Sequence, residues 1–412
     1  VARIVVKFGG TSVADPERIE KAADKVVEEV ARGNQVVVVV SAMAGVTNQL
    51  VGYTESITPD YNAEEYDAVV ASGEQVTTGL MAIALQKRGL KSRSYMGWQV
   101  PIMCDDHHAK ARISEIPPEN LEKALDENIV PVVAGFQGVT AGGRIATLGR
   151  GGSDTTAVAI AAAIKADRCD IYTDVNGVYT TDPRIVPKAQ KLHHVSYEEM
   201  LELAALGAKV LHPRSVELAM AFNVNLQVLS TFEAEIGSDL AGTQVIREED
   251  IVEKQIVNGV TYARNQAKVT LLSVPDQPGI AAAIFSPLSD AGLNVDMIVQ
   301  NISPDGKSTD MTFTIPCADS APAVSLLEKI PLLNGVEIRV DKDIAKISIV
   351  GIGMSSHTGV AKTMFSTLAA KGINILAIST SEIKISVLIA ADYTELAVRA
   401  LHTAFDLEHN EQ

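Results

Sequence analysis

Two kinds of hydrophobic pattern divide this chain. From residue 1 to about residue 245, short apolar runs alternate with longer stretches of helical period. Val36–Val40 is apolar at every position, and Ile4–Val6, Ile129–Ala134, Cys169–Thr173 and Leu226–Leu229 are further strand candidates. Runs apolar on both faces suit central parallel strands, which are covered from either side. Between the first two, Ile19, Ala22, Ala23, Val26, Val27 and Val30 make one apolar stripe that ends near Gly33, the 3.6-residue period of an amphipathic helix. Asp15 then Pro16 supply its cap and first turn. Other helices are expected at Ala63–Lys87, Ser153–Lys165 and Ser196–Leu206. Strand and helix in alternation predict an α/β sandwich with ligands at the carboxyl ends of its strands.

After about residue 250 the pattern repeats itself at an offset of 80 residues. Gly279, Phe285, Ser286, Leu288, Gly292 and Asn294 recur as Gly359, Phe365, Ser366, Leu368, Gly372 and Asn374. Each copy begins with an apolar strand, Val269–Val274 or Ile347–Ile352, followed by a loop, a helix and Gly-hydrophobic-Asn. Units of about 65–80 residues approach the lower limit for an independent core, so two such α+β modules are expected to pack together. The stretch Gly237–Glu253, with its charge cluster at Arg247–Asp250, reads as the hinge.

Composition narrows the function. A chain of 412 residues, 47% apolar and 21% charged, is long enough for two or three folded domains. Its formal net charge of −16 argues against nucleic acid or an anionic membrane as partner, so an anionic ligand needs a few placed lysines and arginines. Cys104, Cys169 and Cys317 form no metal or disulfide spacing, and neither a membrane-length apolar run nor a signal-peptide pattern is evident. A cytoplasmic protein is expected.

Three segments carry chemistry. Lys7-Phe-Gly-Gly10 follows a strand and precedes a helix. It puts a cation and bare backbone N–H groups in one turn, as phosphate oxygens require, although the spacing is neither a P-loop nor a dinucleotide fingerprint. Thr147-Leu-Gly-Arg-Gly-Gly-Ser-Asp154 opens an alanine-rich helix, where Ser153 or Asp154 is expected to cap an anion-attracting N-terminus and Arg150 offers a planar fork for a carboxylate. In Tyr172–Arg184, Asn176-Gly177 predicts a tight hairpin that brings Asp174 and Tyr179 together. Asp105-Asp-His-His108 and His193-His194 lack metal-ligand spacing, and Trp98 reads as packing. No metal ligands are assigned.

Taken together, these segments resemble the amino-acid kinase superfamily, and within it the aspartate kinases. The resemblance runs through Lys7-Phe-Gly-Gly-Thr-Ser12, Val40-Ser-Ala-Met-Ala-Gly-Val-Thr-Asn48, Ala71-Ser-Gly-Glu74, Leu148–Asp154, Thr173-Asp174 with Asp182-Pro-Arg184, and Gly207-Ala-Lys-Val-Leu-His-Pro213. The repeat resembles the paired ACT modules of the same family. This implies a three-layer αβα kinase sandwich over residues 1–245, a linker and contributed strand over 246–264, and ferredoxin-like ACT modules over 265–340 and 341–412. It also implies phosphorylation of the side-chain carboxylate of L-aspartate by ATP, the first step toward lysine, threonine and methionine. A carboxylate is ionised at neutral pH and needs no general base, so positioning and charge screening suffice.

By the resemblance, Lys7 stabilises the transferred phosphoryl group and Asp154 orients Lys7. Gly9 and Gly10 offer backbone donors, and Ser41, Thr173, Asp174, Tyr179, Arg184 and Lys209 complete the nucleotide site. Arg150 forks onto the α-carboxylate of aspartate, Glu74 meets its ammonium, and Thr47 and Ser153 add contacts. Mg²⁺ is expected to ride on the ATP phosphates. In the modules, Asp276, Gly279, Ile280, Asn294, Asp296, His357, Asn374 and Thr380 are effector candidates, for lysine, threonine or both. A homodimer through the ACT modules, or a hetero-oligomer with a short regulatory subunit, is implied. The alternatives are a sibling kinase acting on glutamate or N-acetylglutamate, and a non-catalytic amino-acid sensor.

Overall fold

The computed structural model describes residues 1–206, 210–232, 242–251, 256–302 and 307–409. The chain forms two compact units, Val1–Val178 with Lys191–Glu253, and Tyr179–Gln190 with Lys254–Glu411. The first unit thus runs past residue 245, and the segment Tyr179–Gln190 belongs with the repeats instead. Its apolar pair Ile185 and Val186 is the reason, since both are buried in the second unit's core.

The first unit is built on an eight-stranded sheet in the order His194–Ser196, Thr243–Ile246, Leu226–Ser230, Arg168–Thr173, Arg3–Phe8, Gln35–Val40, Val130–Ala134, Ser92–Tyr95. Every pairing is parallel except Leu226–Ser230 with Thr243–Ile246. Side chains alternate along a strand. Ile4, Val6 and Phe8 accordingly pack with Ile19, Ala22 and Val26 of helix Pro16–Ala31 and with Met81 and Leu85 of helix Ser72–Lys87. Val5 and Lys7 face the other way, toward helix Gly152–Ala163. One alternation therefore buries the core and sets the lysine on the opposite face. Asp15 caps the first helix, its carboxylate accepting from the Arg18 N–H at 2.9 Å.

A smaller sheet, ordered Ile113–Glu115, Met103–Cys104, Gln137–Thr140, Ile145–Thr147, flanks the large one. The expected helix Ala63–Lys87 is divided at Ala71 into Ala63–Val70 and Ser72–Lys87. The stretch is long and apolar enough to cross a membrane by length and composition, but Gly73, Thr77, Thr78, Met81 and Leu85 are buried inside the unit.

Two sequence expectations fail here. Asn176-Gly177 does not form a hairpin: strand Arg168–Thr173 pairs with Arg3–Phe8 and Leu226–Ser230, and Gly177 has φ 150. The segment is instead tied to strand Thr243–Ile246, where the Val178 N–H donates to Thr243 Oγ1 at 2.8 Å. The expected hinge Gly237–Glu253 is also not one stretch. Thr243–Ile246 is a sheet strand, Arg247 pairs with Glu249 and Asp250 beyond it, and 237–241 and 252–253 lie outside the described residues.

The second unit carries a six-stranded sheet in the order Asp296–Ile302, Ser308–Pro316, Gly259–Pro275, Glu337–Val350, Lys384–Ala390, Ala377–Thr380. The two long central strands run antiparallel along their whole length, from Gly259 opposite Val350 to Leu272 opposite Glu337. Each therefore serves both modules. Module 1 uses the later part of Gly259–Pro275 as its first strand and the start of Glu337–Val350 as its last. Module 2 starts on the rest of Glu337–Val350 and takes its closing strand from Gly259–Ala263, before module 1 begins. Each module has its own apolar core under two helices, with Ile284, Leu288, Phe313 and Leu327 in the first and Met364, Leu368, Val387 and Leu401 in the second.

Candidate active site

Lys7 ends up beside Asp154, with Nζ 2.5 Å from Oδ1. The lysine is only 8% exposed, so this charge pair sits in a poorly solvated place. Asp154 gets there because of the turn before its helix. The expectation that Ser153 or Asp154 caps that helix is wrong: the cap is Gly151, at φ 74, and no side chain serves it. A Cβ on Gly151 would come within 2.2 Å of His212 Cγ, so glycine is required by contact as well as by φ. With Gly151 as cap, Asp154 falls in the first helical turn and reaches across to Lys7.

Glu74 lies in the first turn of helix Ser72–Lys87 and is 3% exposed. Its Oε1 accepts from the Ala42 N–H at 3.1 Å, while Oε2 is buried with no hydrogen-bond partner. Burial pushes its pKa up to about 7, against the opposing pull of backbone N–H groups. A half-satisfied buried carboxylate is costly unless a cation completes it. Gly73 makes the approach possible, since a Cβ there would lie 2.8 Å from that of Ala42.

These groups share one cleft of about 610 Å³, lined by Lys7, Gly10, Ser41, Thr47, Glu74, Arg150, Ser153 and Asp154. Arg150 has no hydrogen-bond or ion-pair partner among the described residues. The cleft thus contains a paired lysine, an uncommitted guanidinium and a carboxylate short of one donor. Such a set fits a zwitterion carrying an extra negative charge. His212 packs nearby with its pKa lowered by burial, against the raising influence of Asp154.

Other expected residues fall differently. The Gly9 N–H is not a free donor, because it donates to the Tyr172 carbonyl at 3.3 Å; extending the strand alignment consumes it. Thr173 and Asp174 stand at the carboxyl end of the strand beside Arg3–Phe8, and Thr173 Oγ1 donates to Asp174 at 3.1 Å. Tyr179 and Arg184 belong to the second unit. Arg184 forks onto Asp182, whose pKa falls to about 2 chiefly through that contact. Lys209 lies outside the described residues. The cleft also holds residues that sequence patterns did not single out: Tyr61, Tyr66, Lys110 and Phe136. Nothing in local spacing marks them, for Tyr66 comes from helix Ala63–Val70 and the others from separate loops.

In the second unit, Gly279 at φ 91 and Gly359 at φ 105 cap helices Ile280–Asp290 and Val360–Ala370, each directly before its buried first residue, Ile280 or Val360. Asp276, Asn294, His357, Asn374 and Thr380 are exposed around them. Asp296 is committed to an ion pair with the buried Lys346. Burial works to raise the Asp296 pKa, but the ammonium outweighs it and the net shift is downward.

Comparison with known proteins gives the family of each region. Residues 2–230 match the amino acid kinase family, and residues 268–332 and 347–405 each match an ACT domain. The chain is 52% identical to the aspartate kinase of Pseudomonas putida over 409 residues, 99% of this chain and 98% of that one. Its fold is similar to E. coli aspartokinase III in complex with aspartate and ADP, an R-state structure, with TM-score 0.80, 27% identity, and coverage of 97% and 99% of the two chains. It is also similar to the T-state complex of that enzyme with lysine and aspartate, with TM-score 0.76, 27% identity and coverage of 98% and 99%.

Proposed function

The chain belongs to the aspartate kinase family of amino acid kinases, and from that premise we propose that its cleft transfers the γ-phosphoryl group of ATP to the side-chain carboxylate of L-aspartate. The observation that carries this reading is Glu74, a buried carboxylate short of one donor, sharing a cleft with an unpaired Arg150. An α-amino acid offers the complement: its ammonium completes Glu74 and its α-carboxylate takes the Arg150 fork. Lys7, oriented by Asp154, meets the charge that develops on the transferring phosphoryl group. The Gly10 backbone, Ser41, Thr47 and Ser153 frame the two reacting anions, and the attacking carboxylate is ionised without help.

The nucleotide site extends from Lys7 and Gly10 toward Thr173 and Asp174 at the neighbouring strand end. Lys209 is a further proposed contact. Among the described residues no cluster of three His, Cys, Asp or Glu could hold a metal ion. Mg²⁺ is proposed to ride on the ATP phosphates, where it would shield their charge from the incoming carboxylate.

The ACT modules make this a feedback-regulated enzyme of amino-acid biosynthesis. Lysine, threonine or both are its proposed effectors, bound at the capped loops around Asp276–Ile280 and His357–Val360, with Asn294, Asp296, Asn374 and Thr380 alongside. A helix N-terminus suits the effector carboxylate, and Asp276 its ammonium. Assembly through the modules, as a homodimer or with a short regulatory subunit, follows the same reading. A cytoplasmic setting, with ATP and reduced thiols, suits the three free cysteines. The test is ADP release on adding ATP with aspartate, glutamate or N-acetylglutamate, or with no acceptor. Release that requires aspartate supports the proposal; release with another acceptor, or none at all, refutes it.

A further inference from the structure

Asp67 lies in helix Ala63–Val70 and is completely buried, yet it is not among the groups that line the cleft. Its carboxylate accepts from His108 Nδ1 at 2.7 Å, from the Ala109 N–H at 3.1 Å and from the Thr147 hydroxyl. Three donors, two from the loop at His108–Ala109 and one from the end of strand Ile145–Thr147, satisfy one buried carboxylate. Such a network holds its members in one arrangement, because removing any partner leaves a buried charge short of donors.

The arrangement it holds is strained. Ala109 sits at φ 64, a left-handed conformation that a residue with a Cβ adopts only at a cost. The Ala109 carbonyl packs against Gly149, where a Cβ would lie 3.1 Å from that oxygen, and Gly149 is itself left-handed at φ 75. Two further ties join the same loops. The Ala111 N–H donates to the Thr147 carbonyl at 2.9 Å, and the Arg214 guanidinium bridges the Leu148 and Ala111 carbonyls at 2.8 Å each. Both loops end in the cleft: one brings Lys110, the other Arg150. Neither of these cations has a side-chain partner among the described residues. Nothing in their own contacts fixes where they stand, so the backbone beneath them must.

We propose that Asp67 is the positioning residue of the substrate-anion cradle, acting through His108, Ala109 and Thr147 to place Lys110 and Arg150 in the cleft. Lys110 then becomes a second cation for the amino-acid substrate beside Arg150. This rests on the reading of the cleft as an aspartate site, which the parent protein's own aspartate-dependent ADP release tests separately.

The experiment is a double-mutant cycle on full-length protein, Asp67→Asn with Lys110→Ala, read as aspartate KM, ATP KM and kcat. Misplaced binding groups cost about 10- to 100-fold. Asp67→Asn should raise the aspartate KM by about that factor while leaving the ATP KM within about twofold. Lys110→Ala should raise the same constant, and the two effects should fall well short of multiplying, as for groups acting through one loop. A purely structural Asp67 would lower the thermal midpoint and the active fraction but leave the aspartate KM of the surviving enzyme unchanged, and that result overturns the proposal. So do fully multiplicative effects. Should Asp67→Asn fail to fold, Thr147→Val removes a single partner of the carboxylate. It must then raise the aspartate KM selectively, or the proposal fails.

Discussion

The cleft of the first unit and the proposed effector loops of the second are built around the same local device, a left-handed glycine capping a helix, and differ in what surrounds it. Gly151 is pressed against the His212 ring, with buried Lys7 and Asp154 beyond the turn. Gly279 and Gly359 are left-handed too, at φ 91 and 105, yet nothing lies within 4 Å of where a Cβ would stand on either. One loop is fixed by its neighbours before any ligand arrives. The others keep open space and exposed polar groups, which leaves room for the proposed effector. Catalysis requires charges held in advance of the reaction, whereas regulation requires a difference between two states.

The largest expected effect is at Lys7. Lys7→Ala removes the cation facing the transferring phosphoryl group and leaves Asp154 unpaired, so kcat should fall on the order of 10³-fold or more while aspartate binding changes little. Single-turnover rates with saturating ATP measure it, and near-parental turnover would remove Lys7 from that role. The comparison of caps comes next. Gly151→Ala must overcome both φ strain and collision with His212, and should cost more than about 3 kcal/mol in denaturant unfolding. Gly279→Ala meets strain alone and should cost about 1 kcal/mol. Equal losses would mean that the surroundings of the two glycines do not matter.

Arg150→Lys follows. A planar fork becomes a point charge, so aspartate affinity should drop by about 2–3 kcal/mol with ATP affinity largely kept. If the ATP constants move instead, Arg150 serves the nucleotide. The smallest effect is regulatory: Asp276→Ala should leave uninhibited activity nearly intact and remove a feedback coupling of about 1–3 kcal/mol. Inhibition curves with lysine, threonine and their mixture read this directly. Full inhibition of the variant would move the effector site away from that loop.

How far the sequence carried each region follows the range of the interactions involved. The Asp15 cap, the buried strand Val36–Val40 and the 80-residue repeat depend on neighbours in sequence or on internal similarity, and they stand as expected. Lys7, Arg150 and Asp154 stand out in glycine-rich segments and Glu74 comes only through the family resemblance; the fold gathers all four in one cleft. The failures share one cause. Asn176-Gly177 has the composition of a hairpin, but Thr243, far along the chain, captures the segment first. Ile185 and Val186 look like part of the kinase sandwich and are instead core residues of module 2. Asp67 is hardest to see. Following Glu64 and Glu65 on one short helix, it reads as one more solvated charge, and its partners His108, Ala109 and Thr147 come from segments that only the fold brings together.

The central claim is that Glu74 waits, half-satisfied, for the ammonium of the substrate. Its pKa of about 7 in the free protein makes this testable by proton counting. An ammonium ion placed beside the carboxylate favours the ionised form and lowers its pKa, so binding must expel a proton wherever Glu74 was protonated beforehand. Aspartate affinity should accordingly rise with pH up to about 7 and level off above it. The measurement is calorimetric titration of aspartate into protein saturated with ADP, at pH 7, in two buffers of different ionisation enthalpy. Release of about half a proton per site, abolished in Glu74→Gln, is the predicted result; binding without proton release, or with the same release in Glu74→Gln, would contradict it.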